Sequence, residues 1–372
     1  MVTSFGRAGT AAAALFMLLL LAGAARADDS LFARTNRGVV ELEAGTANGL
    51  SPRMTADIAD LLDDGATRRI IAVIGGGSWQ NLLDLQALRG IDLAIVQTDV
   101  LDYARQQNLL SRIGAPTYVA RLYNEEFHLL AGRGIRSVED LAGKKVDFGA
   151  PGSGSGITAA RIFSALGISV TPTNDPTSRA LVQLERGEIA ALAFVSAKPA
   201  PIFRDIGPSA GLHFLPIPAK PAILAAYAPT QLSAQDYPLL IAPDRPVDTV
   251  AVGTVLLAAN LAVGGVRYRN LVDFVNAFFT QFQSLLGPGY QAKWHEVNLA
   301  ADLPGWKRFA PAQQWLARNA PVAKATTPQD VRVMFERFIN ERLQAAGTQM
   351  SQQEKDDLFI QFQRWQQAGK AH

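Results

Sequence analysis

A run of small residues, Gly149-Ala150-Pro151-Gly152-Ser153-Gly154-Ser155-Gly156, lies between a strand pattern and a helix pattern and constrains this chain more than any other feature. Val146 to Phe148 read as a short strand. Four of the next eight residues are glycine and one is proline, so the spacing predicts an irregular turn there. From Ile157, an apolar stripe at Ala160, Ile162, Phe163 and Leu166 predicts a helix ended by Gly167. A strand, a small-residue loop and a helix start leave unpaired N–H groups pointing outward, with the positive end of the helix dipole behind them. Ser153 and Ser155 add hydroxyls, and the arrangement suits a carboxylate or phosphate. It holds an anion rather than attacks anything. A Lys-Ser/Thr pair is missing after the glycines, which excludes a Walker A loop, and Gly154 occupies the place of a nucleophilic serine. The blander alternative is a tight connection with no ligand.

The leader has its own character. Arg7, an apolar run from Ala11 to Ala22 and Ala25-Arg26-Ala27 predict a secretory signal peptide cut after Ala27. Without cysteine, no lipoprotein is expected, and neither disulfides nor thiolate metal sites can form. Two of the 35 basic residues, Arg7 and Arg26, belong to that leader, leaving 33 of each sign in the remainder. Such a balance does not support a nucleic-acid surface. The four histidines, His128, His213, His295 and His372, lack ligand spacing. No metal and no cofactor is expected. Export to the periplasm and a monomeric state are.

The rest of the chain repeats the opening device. A strand at Val39–Leu42 precedes Gly45-Thr46-Ala47 and a helix carrying Met54, Ile58, Leu61 and Leu62. Arg69–Ile74, apolar enough for a parallel strand covered on both faces, precedes Gly75-Gly76-Gly77-Ser78, with Ser78 placed to cap the next helix. Ile91–Val96 ends at Gln97-Thr98-Asp99. In open α/β sheets, that C-terminal strand edge is where ligands bind. Tyr118–Leu122 and Phe127–Leu130 read as two strands across Tyr123-Asn124-Glu125-Glu126, taken as a crossing between lobes. Residues 199–246 are proline-rich and give no clear pattern. Thr327-Pro328 and Ser351-Gln352-Gln353-Glu354 predict the starts of two C-terminal amphipathic helices.

Six short motifs in order resemble one family. They are Gly45-Thr46-Ala47, Gly77-Ser78 with Asn81, Gln97-Thr98-Asp99, Leu122-Tyr123-Asn124-Glu125, Asp140-Leu141-Ala142-Gly143-Lys144-Lys145-Val146, and the turn from Gly149 to Ser155. Together they resemble the TAXI-type solute-binding proteins of TRAP transporters over about residues 38 to 285. The resemblance implies an α/β chain with the two-lobed, type II periplasmic-binding-protein fold and a hinge. Lobe 1 is then 38–122 with 246–320, lobe 2 is 123–245, and 321–372 is an added helical extension. It also implies capture of a small anionic organic solute, an amino acid such as glutamate or a dicarboxylate, for delivery to a membrane permease. The chain departs from the family's usual pattern near Ala190, at Asn48-Gly49-Leu50 and beyond residue 290.

On that reading Thr46, Ala47, Ser78, Gln97, Thr98 and Asp99 line the cleft from lobe 1. Ser153, Gly154, Ser155, Phe194 and Lys198 line it from lobe 2, and Tyr123 and Asn124 form the hinge. Asp99 would face an ammonium group or cap a helix, and Lys198 would contact the solute or sit in solvent. Two alternatives stay open: a periplasmic ligand sensor for a signalling receptor, and a periplasmic hydrolase. The second lacks a histidine beside a serine motif.

Overall fold

The computed structural model describes residues 36–319 together with 351–353, 355 and 356. The leader over 1–27 and nearly all of the extension over 321–372 lie outside the described residues. Strands and helices alternate from the start: β1 (Val39–Ala44), α1 (Ser51–Leu62), β2 (Arg69–Ile74), α2 (Ser78–Ala87), β3 (Ile91–Gln97) and α3 (Thr98–Gln106). A long strand, β4 (Thr117–Ala131), leads to β5 (Lys145–Asp147), α4 (Gly154–Leu166), β6 (Thr171–Thr173), α5 (Thr177–Glu185) and β7 (Ala191–Ser196). Then come β8 (His213–Phe214), β9 (Ala228–Leu232), β10 (Val247–Ala258), α6 (Val266–Gln281) and α7 (Ala310–Asn319).

One mixed sheet carries the fold, in the order β2-β1-β3-β10-β4-β7-β5-β6. β1 runs parallel to β2 and β3, and β5 runs parallel to β6 and β7. Short βα units give two parallel halves, as the alternating pattern requires. β4 and β10 join the halves. The first part of β4 pairs with the end of β10, Thr117 facing Ala258 and Arg121 facing Val255. Its last six residues, Glu126 to Ala131, pair with Ser196 to Ala191 of β7. The result is a two-lobed α/β protein with two strands running through both lobes.

Each lobe buries its half-sheet on both faces. In the first, Leu42, Met54, Ile58, Phe274 and Phe278 pack on one side, and Leu82, Val96, Leu101 and Val255 on the other. In the second, Phe127, Leu129, Ile162 and Phe163 oppose Leu130, Leu192, Phe203 and Tyr237. β3 and β7 are therefore buried along their whole length, which explains their continuous apolar sequences.

Three sequence expectations change. β2 is the edge strand rather than a covered one, with Ile74 63% exposed, because β1 is its only strand neighbour among the described residues. The two strands expected around Tyr123-Asn124-Glu125-Glu126 are one, because Asn124, Glu125 and Glu126 keep their pairing with Gly253, Val252 and Ala251 of β10. Helix α4 starts at Gly154, three residues before the apolar stripe. First-turn N–H groups need no intrahelical acceptor, so glycine there costs little, and its missing side chain lets the opposite lobe approach.

Candidate functional site

The cleft between the lobes closes over a cavity of about 50 Å³ lined from both sides. That is small beside the 300–1,000 Å³ of drug-sized sites, so the geometry fits only a compact solute. Gly45, Thr46, Gly49, Ser51, Gly77, Ser78, Ile95, Gln97 and Glu125 line it from one side. Gly149, Ala150, Ser153, Gly154, Ser155, Thr177, Phe194 and Val195 line it from the other. Four helices begin at its wall: α1 at Ser51, α2 at Ser78, α4 at Gly154 and α5 at Thr177. No side chain caps any of the four, and Ser78, expected as the cap of α2, is instead its first helical residue, with Gly77 in the cap position. Their positive dipole ends therefore lie at one space, although Gln80 N of α2 and Arg53 N of α1 are already bonded to the Gly152 and Leu50 carbonyls.

The loops that aim these helices are pinned from below. Asn81, buried on α2, donates to the Ala44 carbonyl (2.8 Å) and the Ile95 carbonyl (3.1 Å) and accepts from Gly77 N (3.2 Å). It thereby ties the ends of β1 and β3 to the start of α2. Asp147 does the same in the second lobe, accepting from Gly149 N (2.8 Å), Thr173 Oγ1 (2.8 Å) and Asp175 N (2.9 Å). Gly77 (φ +113°) and Gly152 (φ +89°) occupy backbone regions unsuited to side chains, and a Cβ on Gly77 would sit 2.8 Å from Ser153 Cα. The lobes touch here: Gln80 N donates to the Gly152 carbonyl at 3.0 Å.

The hydroxyls in the cavity differ. Ser78 Oγ accepts from Gln97 N (3.1 Å), and Ser155 Oγ accepts from Val195 N (3.0 Å). Each is oriented by its backbone partner and keeps a proton to donate. Ser153 Oγ, buried, has no partner. On the wall formed by β3 and β4, Gln97 Nε2 donates to Glu125 Oε2 at 2.7 Å, while Gln97 Oε1 is buried without a partner. Burial pushes the Glu125 carboxyl up to about 7, the Gln97 bond opposes that rise, and neighbouring Glu126 adds to it.

Of the eleven ligand residues expected from sequence, seven line this cavity: Thr46, Ser78, Gln97, Ser153, Gly154, Ser155 and Phe194. The structure does not bring the other four there. Ala47 is exposed and Thr98 half-buried beside Gly253. Asp99 is fully buried, and its Oδ2 accepts from Thr158 Oγ1 (2.7 Å) and Tyr227 OH (2.9 Å) of lobe 2. Burial raises its carboxyl above the usual range, and the Thr158 and Tyr227 bonds oppose the rise. Lys198 Nζ bonds to the Gln231 carbonyl and lies 3.3 Å from Asp236. Tyr123 is buried in the lobe 1 core, and Asn124 N donates to Glu296 Oε2 (3.2 Å).

Among the polar side chains that line the cavity, Glu125, Ser51 and Thr177 were not expected from the sequence. Glu125 was visible only as part of the Leu122-Tyr123-Asn124-Glu125 motif. The histidines stand apart from the cavity serines: His128 Nε2 is 2.6 Å from Tyr237 OH, and His213 Nε2 is 2.8 Å from the Ile135 carbonyl. Among the described residues, no group of three or more His, Asp or Glu side chains is arranged to hold a metal ion. Among them too, no helix is long and apolar enough to cross a membrane.

A two-lobed α/β architecture with a helix-lined cleft is the class that fold and site define. The model of the NMT1-like family matches residues 45–263, and the chain belongs to that family. Among solved structures it is similar to the periplasmic aliphatic sulphonate binding protein from Escherichia coli, with 17% identity, 82% of this chain and 88% of that one covered, and a TM-score of 0.40. A second is the periplasmic binding protein BugD, with 12% identity, 75% and 93% covered, and a TM-score of 0.48. A third is a TctC solute binding protein from Polaromonas, with 15% identity, 65% and 88% covered, and a TM-score of 0.37.

Proposed function

We propose that this protein is an extracytoplasmic solute-binding protein that captures a small organic anion between its lobes and delivers it to a membrane permease. One observation carries the reading: four helix N-termini, two from each lobe, surround a single cavity between the lobes. Charge-assisted hydrogen bonds to N–H and hydroxyl donors contribute roughly 1.5–3 kcal/mol each. Three or four of them suffice for micromolar binding, which needs about −8 kcal/mol. Capture also couples binding to closure, because donors from both lobes reach the anion only when Gly77 and Ser78 approach Ser153 and Gly154.

The six-motif resemblance supports a TAXI-type assignment, and with it a TRAP permease as the partner and the periplasm as the location. Calorimetry against glutamate, glutamine, 2-oxoglutarate, succinate and short sulfonates tests the reading. A member that binds should raise the melting temperature in proportion to the logarithm of its concentration. Absence of heat and of thermal shift across the whole set would refute the proposal.

A further inference from the structure

The donors in the cavity account for an anion, but the opposite wall is built for something else. Glu125 is 7% exposed, and the only hydrogen bond to its carboxylate within the described structure comes from Gln97 Nε2. With Glu125 ionised, that contact fixes the amide orientation, since a carboxylate only accepts, and it leaves Gln97 Oε1 as a second acceptor. Gln97 is 3% exposed, and a methyl group added to Gly154 would overlap that oxygen. The wall formed by β3 and β4 thus presents buried acceptors toward the start of α4. Beyond the cavity, Glu126 and Asp99 face Glu125 as like charges. Lys293 offsets them in part, but its ammonium is held by Glu126 and Glu296, each at 2.7 Å.

A carboxylate so placed repels a second anion and lacks a cation of its own. We propose that Glu125 is the specificity-determining residue of the cleft, taking the ammonium group of a small zwitterion whose carboxylate lies on the N-termini of α2 and α4. This rests on the solute-binding reading above and deepens it. Gln97 Oε1 is the second acceptor for the same ammonium group. The wall then disfavours a dicarboxylate, whose far end would meet Glu125 and an unpaired amide oxygen.

Matched pairs differing only in the amino group test this by titration calorimetry on the full chain: alanine with propionate, aspartate with succinate, and glutamate with glutarate. In at least one pair the amine-bearing member should bind about 10- to 100-fold more tightly, and Glu125→Gln should remove most of that ratio. Between pH 5.5 and 7, binding of the amine should release protons, seen as a dependence of the heat on buffer ionisation enthalpy, because the ammonium group drives Glu125 to ionise. Glu125→Asp keeps the charge and should retain part of the preference, which covers the case in which the glutamine variant does not fold. If the partner without the amine binds equally well or better, or protons are taken up, the inference falls while anion capture stands. If no member of any pair binds, both fall together.

Discussion

Asp99 and Tyr227 meet across the cleft: the Tyr227 hydroxyl of lobe 2 donates to Asp99 Oδ2 of lobe 1 at 2.9 Å, outside the cavity. Thr158, at 2.7 Å, donates to the same oxygen. The two bonds hold the closed arrangement without touching the space a solute would fill. Closure therefore has two independent supports, the cavity walls and this latch.

Removing half of the latch should shift the protein toward open forms. Tyr227→Phe deletes one bond to a carboxylate, a loss of about 1.5–3 kcal/mol if Asp99 is ionised, and should weaken solute binding by a similar free energy. Small-angle scattering of the ligand-free variant should give a larger radius of gyration than the wild type. An unchanged radius together with unchanged affinity would show that the latch does not govern closure.

Gly154→Ala separates closure from folding. The added methyl would overlap Gln97 Oε1 and lie 3.0 Å from Ser78 Cβ, both on the opposite lobe. Opening the cleft relieves the overlap, and at the first helical position, where glycine costs little, the exchange itself should hardly change helix stability. The unliganded melting temperature should therefore hold while solute affinity falls by at least about tenfold. A large drop in melting temperature would place the overlap in the folded core instead.

Ser153→Ala and Ser155→Ala should behave differently, although sequence alone gave them one role. Ser153 Oγ has no protein partner, so alanine there should leave stability nearly unchanged and weaken binding. Ser155 Oγ accepts the buried Val195 N–H, and alanine would orphan that donor at a cost of about 1–3 kcal/mol. Urea denaturation of the two variants without solute checks the contrast.

Glu125→Gln should stabilise the unliganded protein in a pH-dependent way. The wild-type carboxyl has a folded pKa of about 7 against an ordinary value of 4.5. A raised carboxyl pKa means that stability is full below 4.5 and declines as pH climbs through 7. Relief by the amide should be near zero at pH 4.5 and approach about 3 kcal/mol above pH 7. Urea titrations of both proteins at pH 4.5 and 8 measure it, and equal differences at the two values would show that Glu125 is not desolvated in the fold.

Much of the fold was legible because it depends on local patterning. The order of strand, small-residue turn and helix could be read at Gly45, Gly77 and Gly149, since glycine-rich turns and 3.6-residue stripes follow from neighbouring residues. That order in turn placed Ser78, Gln97 and the Ser153 to Ser155 turn at one sheet edge. Glu125 could not be recovered this way. It looked like part of a turn between two strands, and only pairing with Val252, far away in sequence, makes it a strand residue facing the cleft. Asp99 failed for the same reason, since its partners Thr158 and Tyr227 arrive from the other lobe.

The sequence by itself determined that this chain builds repeated βα units with small-residue turns, because those depend on contacts a few residues apart. Tertiary structure alone decided which turns face each other, which polar side chains are stripped of water, and that β2 lies at an edge. Those properties depend on strand order and on lobe closure, and both are set by contacts between residues far apart along the chain, from β1 against β2 to β4 against β10.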